Sequence, residues 1–266
     1  MIGSLLTLLF SLSVASTAKS TLFFYNPESN INDFRSVKTL FDSYLTTNGV
    51  YQFQPFDDKT IFENFVKTNK EDVFLLSSWH YQNLVERGYA HLQPILVGTI
   101  DGNFTYTQVL STKKNVKDIN QLQGKRIASA ASEEYTKNIL ENMAQQELKV
   151  GVSFEVLTVP KDIDALMSVL FGMAQGALTA SNSLTTLATL NPKKAQLLRQ
   201  QAKSEAVMLP LVVAYSPLSK SSTSLLDVIK NMPDSPAGKE ILGRLGLNGW
   251  RKLTSADLQQ LESVKD

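Results

Sequence analysis

The chain has 266 residues, 43% hydrophobic and 19% charged, with 26 Lys and Arg against 25 Asp and Glu for a net charge of +1. At roughly 100 to 200 residues per domain this length allows two globular lobes, and the composition excludes a fibrous or disordered chain. The balanced charge, with no basic cluster denser than Lys113-Lys114 or Lys193-Lys194, gives no footprint for a nucleic-acid backbone. With no Cys, disulfides, thiolate chemistry and sulfur-ligated zinc are ruled out, and two His are too few for a polyhistidine metal site. No metal and no cofactor are expected.

Residues 1–18, MIGSLLTLLFSLSVASTA, carry no Asp, Glu, Lys or Arg, and Leu5 to Val14 is apolar apart from its Ser and Thr. Small residues at Ser16 and Ala18 precede the first charge, Lys19, so this stretch is expected to be a signal peptide removed from an exported, soluble, periplasmic chain. A buried N-terminal helix is the alternative. The run is shorter than the roughly 20 residues that span a bilayer, which disfavours an anchor.

From Thr21 the sequence alternates short β-rich runs with helical patterns, the mark of βαβ units. Leu22 to Tyr25 reads as a strand and Asn26 to Asn30 as a polar turn in which Ser29 or Asn30 caps the next helix. Phe34, Val37, Leu40, Phe41 and Tyr44 then form an amphipathic helical stripe that stops at Asn48-Gly49. Strand Tyr51 to Phe56, helix Lys59 to Thr68, strand Val73 to Leu76 and helix Trp79 to Arg87 repeat the cycle. Leu92 to Ile100 and Thr105 to Ser111 are two extended runs without a helix between them.

A second series follows: a short helix around Val116 to Leu122, strand Arg126 to Ser129, helix Glu133 to Gln146, strand Phe154 to Val159, helix Asp162 to Phe171, strand Gly176 to Thr179 and helix Leu184 to Gln200. Ala206 to Tyr215 reads as a strand interrupted by Pro210, which cannot donate to a ladder and belongs at an edge or a crossing. Ser221 to Asp266 reads as helical with stops at Pro233, Pro236 and Gly249. The order predicts an α/β chain of two lobes, residues 19–106 with 212–266 and residues 107–211, joined by a two-strand hinge. Such lobes can close on a small ligand at the carboxyl ends of the strands.

Several segments carry a resemblance. Ser77-Ser78-Trp79-His80-Tyr81 with Arg87-Gly88-Tyr89, then Ile119-Asn120-Gln121-Leu122-Gln123-Gly124-Lys125-Arg126-Ile127-Ala128, and finally Ser235-Pro236-Ala237-Gly238-Lys239-Glu240 with Gly249-Trp250 stand in a characteristic order. The chain from about Thr21 onward resembles the periplasmic solute-binding proteins of ABC importers, in the type 2 fold branch that binds phosphate, phosphite and phosphonate. The resemblance implies capture of a small polar or anionic solute, with a phosphonate- or phosphate-like oxyanion as first guess, and delivery to a membrane permease. It is poorer at Ser129-Ala130-Ala131-Ser132-Glu133-Glu134, where the family places a hydroxyl-rich helix start, because two carboxylates there would repel an anion. Gln175 stands where the family carries an Asp that could pair with a ligand amine.

The candidate ligand-binding residues are those expected at strand ends facing the cleft: Tyr25 and Asn26, then Ser77, Ser78 and Trp79, then Ser129, Ser132 and Tyr135, with Ser181 after the strand Gly176 to Thr179. Each Ser, and Asn182, has a helix cap as its bland role. Tyr106 and Tyr215 lie in the expected crossings, where a phenol could touch the ligand but core or hinge packing is the default for each. His80 lies beside two serines, but no Gly-x-Ser-x-Gly elbow or orienting third residue accompanies it, so it reads as a partly exposed helix residue and the chain as no enzyme. The expected partners are a small-molecule ligand and an importer permease or a sensor kinase, with the chain itself a monomer. The alternative is a degenerate binding fold acting as a sensor or interaction partner without transport.

Overall fold

The computed structural model describes residues 20–28, 34–148 and 153–263. The expected signal peptide and the expected caps Ser29 and Asn30 lie outside the described residues. The first lobe opens with strands and helices in alternation: β1 (Ser20–Tyr25), α1 (Phe34–Asn48), β2 (Tyr51–Pro55), α2 (Lys59–Thr68), β3 (Val73–Leu76), α3 (Ser78–Glu86) and β4 (Leu92–Thr99). β3 reads VFLL and is buried at all four positions, the continuous apolar run of a strand covered on both faces. Gly88, at φ +94°, ends α3 in a conformation that costs a side chain dearly.

A two-residue strand β5 (Thr105–Tyr106) leads into the second lobe. That lobe comprises β6 (Gln108–Lys113), a 3-10 turn (Ile119–Leu122), β7 (Arg126–Ser129), α4 (Glu133–Leu148), β8 (Glu155–Thr158), α5 (Asp162–Leu170), β9 (Gly176–Ala180), α6 (Ser183–Leu190), α7 (Pro192–Ala195) and β10 (Leu198–Lys203). The chain returns through β11 (Val207–Met208) to β12 (Leu211–Tyr215), α8 (Lys220–Lys230), a 3-10 turn (Met232–Asp234), α9 (Pro236–Arg244), β13 (Gly249–Lys252) and α10 (Ser255–Ser263).

The first sheet has the order β13-β4-β12-β3-β1-β2 and the second β10-β6-β9-β7-β8. In each, the βα series forms a parallel group, and the strands that follow the crossings add to it antiparallel. The crossings themselves pair as a separate two-stranded ribbon, Val207 opposite Tyr106 and Met208 opposite Thr105, so two strands link the lobes. Pro210 sits between β11 and β12, where its carbonyl accepts from the Gly98 N–H at 2.9 Å and its missing donor costs nothing.

Two expected helical stretches contain strands instead. The helix expected over Leu184 to Gln200 stops before Pro192, and Leu198–Lys203 becomes the edge strand β10 although its residues, LRQQAK, include no β-branched or aromatic side chain. Antiparallel pairing with β6 overrides that weak propensity. Gly249–Lys252, expected within a helical tail, pairs with β4 as β13. The 266-residue chain has, among its described residues, no helix long and apolar enough to cross a membrane.

The first lobe has one aromatic-rich core in which the Phe41 and Phe53 rings stack with centroids 3.9 Å apart. The second has two smaller clusters, one of them around Leu110, Ile127, Tyr135 and Leu140. Trp79, which belongs to the first lobe by sequence, packs against that cluster of the second. This placement defines the cleft.

Candidate functional site

β1 and β3 run parallel with Tyr25 beside Leu76, so the loops after both strands emerge at the same edge of the first sheet. The helix after β3 starts at once because Ser77 caps it, its Oγ accepting from the His80 N–H at 3.1 Å. In the second lobe Ser132 plays the same part, its Oγ accepting from the Tyr135 N–H at 3.3 Å. The first turns of α3 and α4 thereby present Trp79 and Tyr135 to each other, edge to face, with centroids 5.5 Å apart.

Around that ring contact the lobes are bonded directly. Trp79 Nε1 donates to Asn138 Oδ1 at 3.1 Å, and the Ser132 N–H donates to the Pro27 carbonyl at 2.7 Å. Lys59 pairs with Glu134 at 2.5 Å while its ammonium lies 5.6 Å from the Trp79 ring centre. The second-lobe carboxylate expected to repel an anion is thus paired by a first-lobe lysine, and Glu133 is paired within its own helix by Lys137 at 2.6 Å.

Behind Trp79 and Tyr135 lies a buried polar cluster. The Tyr106 hydroxyl, on the linking ribbon, donates to Glu28 Oε2 at 2.7 Å and lies 2.9 Å from the Tyr135 hydroxyl. Glu28 Oε1 is closed off from solvent and has no hydrogen-bond partner. Burial pushes the Glu28 carboxyl up to about 7, against the opposing effect of the Tyr106 and nearby Ser77 hydroxyls. Burial and the facing carboxylate also push both phenols well above their ordinary range, so they remain neutral donors. One carboxylate from the first lobe, one phenol from the link and one from the second lobe therefore meet at a single point.

The other expected residues divide between this place and elsewhere. Tyr25 lies beside it, its ring 5.1 Å from that of His80 and its hydroxyl pushed up to about 12 by burial and then by Glu134 and Glu63. Asn26 shapes the turn, its Oδ1 accepting from the Glu28 N–H at 2.9 Å. Ser78 is buried and donates to the Met208 carbonyl at 2.8 Å, fastening α3 to the ribbon. Ser129 Oγ is turned inward to the Ala131 N–H at 3.1 Å. Ser181 is exposed, bonded through its N–H to the Thr107 carbonyl at 3.0 Å and not to the cluster. Asn182 precedes α6 without a side-chain capping bond.

Three expectations are corrected. Tyr215 lies at the far end of β12, where its ring meets Phe74 edge-on and Lys70 from above, because an antiparallel strand starting at the link carries its last residue away from the cleft. His80 is fully buried: its Nε2 lies 2.9 Å from Glu63, which Arg87 also grips with two nitrogens at 2.6 and 2.7 Å. Desolvation lowers the His80 pKa, keeping the ring neutral, and the two bonded partners hold the Glu63 carboxyl down at about 2 despite its own burial. Ser77 accepts from the His80 backbone, so serine and imidazole make no nucleophile and base pair. Gln175 accepts from the Arg126 N–H at 3.3 Å, at the amino end of β7, and its replacement of an acid has no bearing on the cleft.

A cavity of about 610 Å³ opens beside Trp79, bounded by α3, α4, the β11 segment and α10. Its polar lining includes Gln82, Asn138, Asn142, Gln145 and Ser204, and Glu205 is its one charged residue. Among the described residues no three His, Asp or Glu side chains converge on a point where a metal ion could sit. Glu28, Lys59 and Asn138 were not anticipated. Glu28 stands three residues beyond the end of β1, in a loop that opens at the cleft, and that position was the available signal.

A family model described as the periplasmic substrate-binding protein of ABC phosphonate transporters matches residues 24–258. No curated protein sequence matches the chain. Among solved structures, a Xanthomonas citri protein bound to ATP, XAC2383, superposes with a TM-score of 0.67 at 12% identity, covering 92% of this chain and 96% of its own. The binding-protein component of an ABC phosphonate transporter from Pseudomonas aeruginosa gives 0.63 at 14% identity, covering 92% and 86%. PhnD1 from Prochlorococcus marinus, in complex with methylphosphonate, gives 0.63 at 15%, covering 91% and 96%. At these identities the structural likeness is one of fold, the two-lobed periplasmic-binding architecture.

Proposed function

The chain belongs to the family of periplasmic substrate-binding proteins of ABC phosphonate transporters, and on that premise we propose that it is an exported receptor that traps a small polar solute between its lobes and hands it to an importer permease. The carrying observation is the meeting of Glu28, Tyr106 and Tyr135, one residue from each lobe and one from the link, beside the Trp79–Tyr135 contact. A group that touches both lobes and the link at once binds the closed form better than the open one, and only such differential affinity can drive closure. The receptor works as a monomer in the periplasm after removal of residues 1–18, with no covalent step. The family's solutes make phosphonate-like oxyanions the first class to test, and a sensor kinase is the alternative recipient of the closed form.

Thermal melts against oxyanions, phosphonates, sulfonates and amino acids test this reading. A solute at about 100 times its dissociation constant adds about 2.7 kcal/mol to stability, and at least one class is expected to do so. A complete library without a shift rejects the receptor.

A further inference from the structure

We propose that Glu28 is a built-in competitor of the solute: its carboxylate fills the hydroxyl-lined place between the lobes that an oxyanion would occupy, and a solute enters by displacing it. The proposal rests on the reading of the cleft as a solute site. A carboxylate is itself an oxyanion, and here its Oε2 is held by the Tyr106 hydroxyl at 2.7 Å, with Tyr135 2.9 Å beyond. Its Oε1 is buried without a donor. No Lys, Arg or His makes an ion pair with Glu28 among the described residues, so no cation offsets its charge and burial leaves the carboxyl protonated below about pH 7.

Two consequences follow from elementary electrostatics. A free anion placed against the Tyr106 and Tyr135 hydroxyls needs the space and the donor that Glu28 already holds, and once Glu28 ionises, above about pH 7, repulsion in a poorly screened interior adds to that exclusion. Glu28 also links the first lobe to the ribbon and, through Tyr106, to the second lobe. It therefore makes a contact that a bound solute would otherwise supply, and favours closure before any solute arrives. The unpartnered Oε1 keeps this occupant imperfect, because a buried acceptor left unsatisfied weakens the arrangement it belongs to. The arrangement is a gate with an affinity cost that is set by one side chain, and hence a specificity determinant for the site.

The test titrates methylphosphonate and inorganic phosphate by calorimetry into the full mature chain as wild type, Glu28→Ala and Glu28→Gln. Glu28→Gln keeps the volume and an acceptor for Tyr106 while removing the charge, and melts of both variants establish that they fold. Glu28→Ala is expected to bind at least one of the two probes about tenfold or more tightly than the wild type, with Glu28→Gln between them. Small-angle scattering without solute is expected to give a closed wild type and a more open Glu28→Ala chain that closes on the probe. Variants that bind no tighter than a wild type that itself binds overturn the competitor and leave the receptor reading standing. Failure of all three proteins to bind either probe also overturns the competitor, while the wider solute library then decides the receptor reading separately.

Discussion

Trp79 Nε1 donates to Asn138 Oδ1 at 3.1 Å, and the two residues stand on helices of different lobes. The bond exists only while the lobes are together. Asn138→Ala removes it without touching either sheet, so the loss falls on closure and not on folding. A hydrogen bond of this kind contributes about 1 kcal/mol, a fivefold change in the ratio of closed to open forms at about 1.4 kcal/mol per tenfold. Distance measurements between labels placed on the two lobes report that ratio. An unchanged ratio would remove Trp79–Asn138 from the closure mechanism.

The buried Glu28 carboxyl makes a second prediction, of stability against pH. Its value is about 7 in the folded chain against an ordinary 4.5, so the proton is held more tightly folded than unfolded. The resulting stabilisation is complete below the unfolded value and is lost as pH rises through about 7. At 1.36 kcal/mol per unit the full effect is about 3 kcal/mol. Glu28→Gln, which cannot ionise, is expected to match the wild type near about pH 4.5 and to exceed it in urea melts near about pH 8. Parallel curves for the two proteins across that range would show the carboxyl to be unshifted.

His80 and Glu63 make a third. The imidazole is buried between the Tyr25 and Phe62 rings and bonded to a carboxylate that Arg87 also holds. His80→Ala leaves a cavity and strips Glu63 of a donor, and is expected to cost about 3 kcal/mol. Because the His80 pKa is lowered, its neutral form stabilises the fold above the ordinary value of 6.5, and the contribution falls away as pH drops through the folded value. The variant loses that acid-side decline. A cost below about 0.5 kcal/mol, the range of ordinary surface changes, would contradict the structural role.

Gly238 makes a fourth, in the first turn of α9. A Cβ there would stand 2.1 Å from the Met232 carbonyl oxygen, which is backbone and cannot swing aside. Gly238→Ala is expected to cost about 3 kcal/mol or more, as an overpacked core site does, whereas Gly243→Ala, with open space around its Cβ, costs nothing of that size. Equal melting temperatures for the two variants would refute the close approach.

How much of this was legible beforehand depended on what each residue's signal is. Apolar runs such as Val73 to Leu76 and the helical stripe of Val37, Phe41 and Tyr44 announce their own periodicity, and the helix stop at Gly88 announces itself, whereas the stop before Pro192 falls inside a stretch that reads as one helix. β10 and β13 do not, because LRQQAK and GWRK are strands only through the neighbours they pair with. At the site, Ser77, Trp79, Ser132 and Tyr135 could be placed from their positions after strands, since chain order fixes which loops share an edge. The burial of His80 and the arrival of Glu28 between two phenols depend on which side chains from distant segments meet, and no local pattern encodes that. Glu133 and Glu134 looked alike in sequence; packing gave one a partner in its own helix and the other a partner in the opposite lobe.

The most direct test of a solute held between the lobes is the fluorescence of Trp79 itself, isolated by Trp250→Phe, since the chain has two tryptophans. The account predicts that a solute which raises the melting temperature also changes Trp79 emission along a saturable curve with the calorimetric dissociation constant. A solute that stabilises the protein while leaving Trp79 emission unchanged throughout the titration would put its site elsewhere and contradict the account.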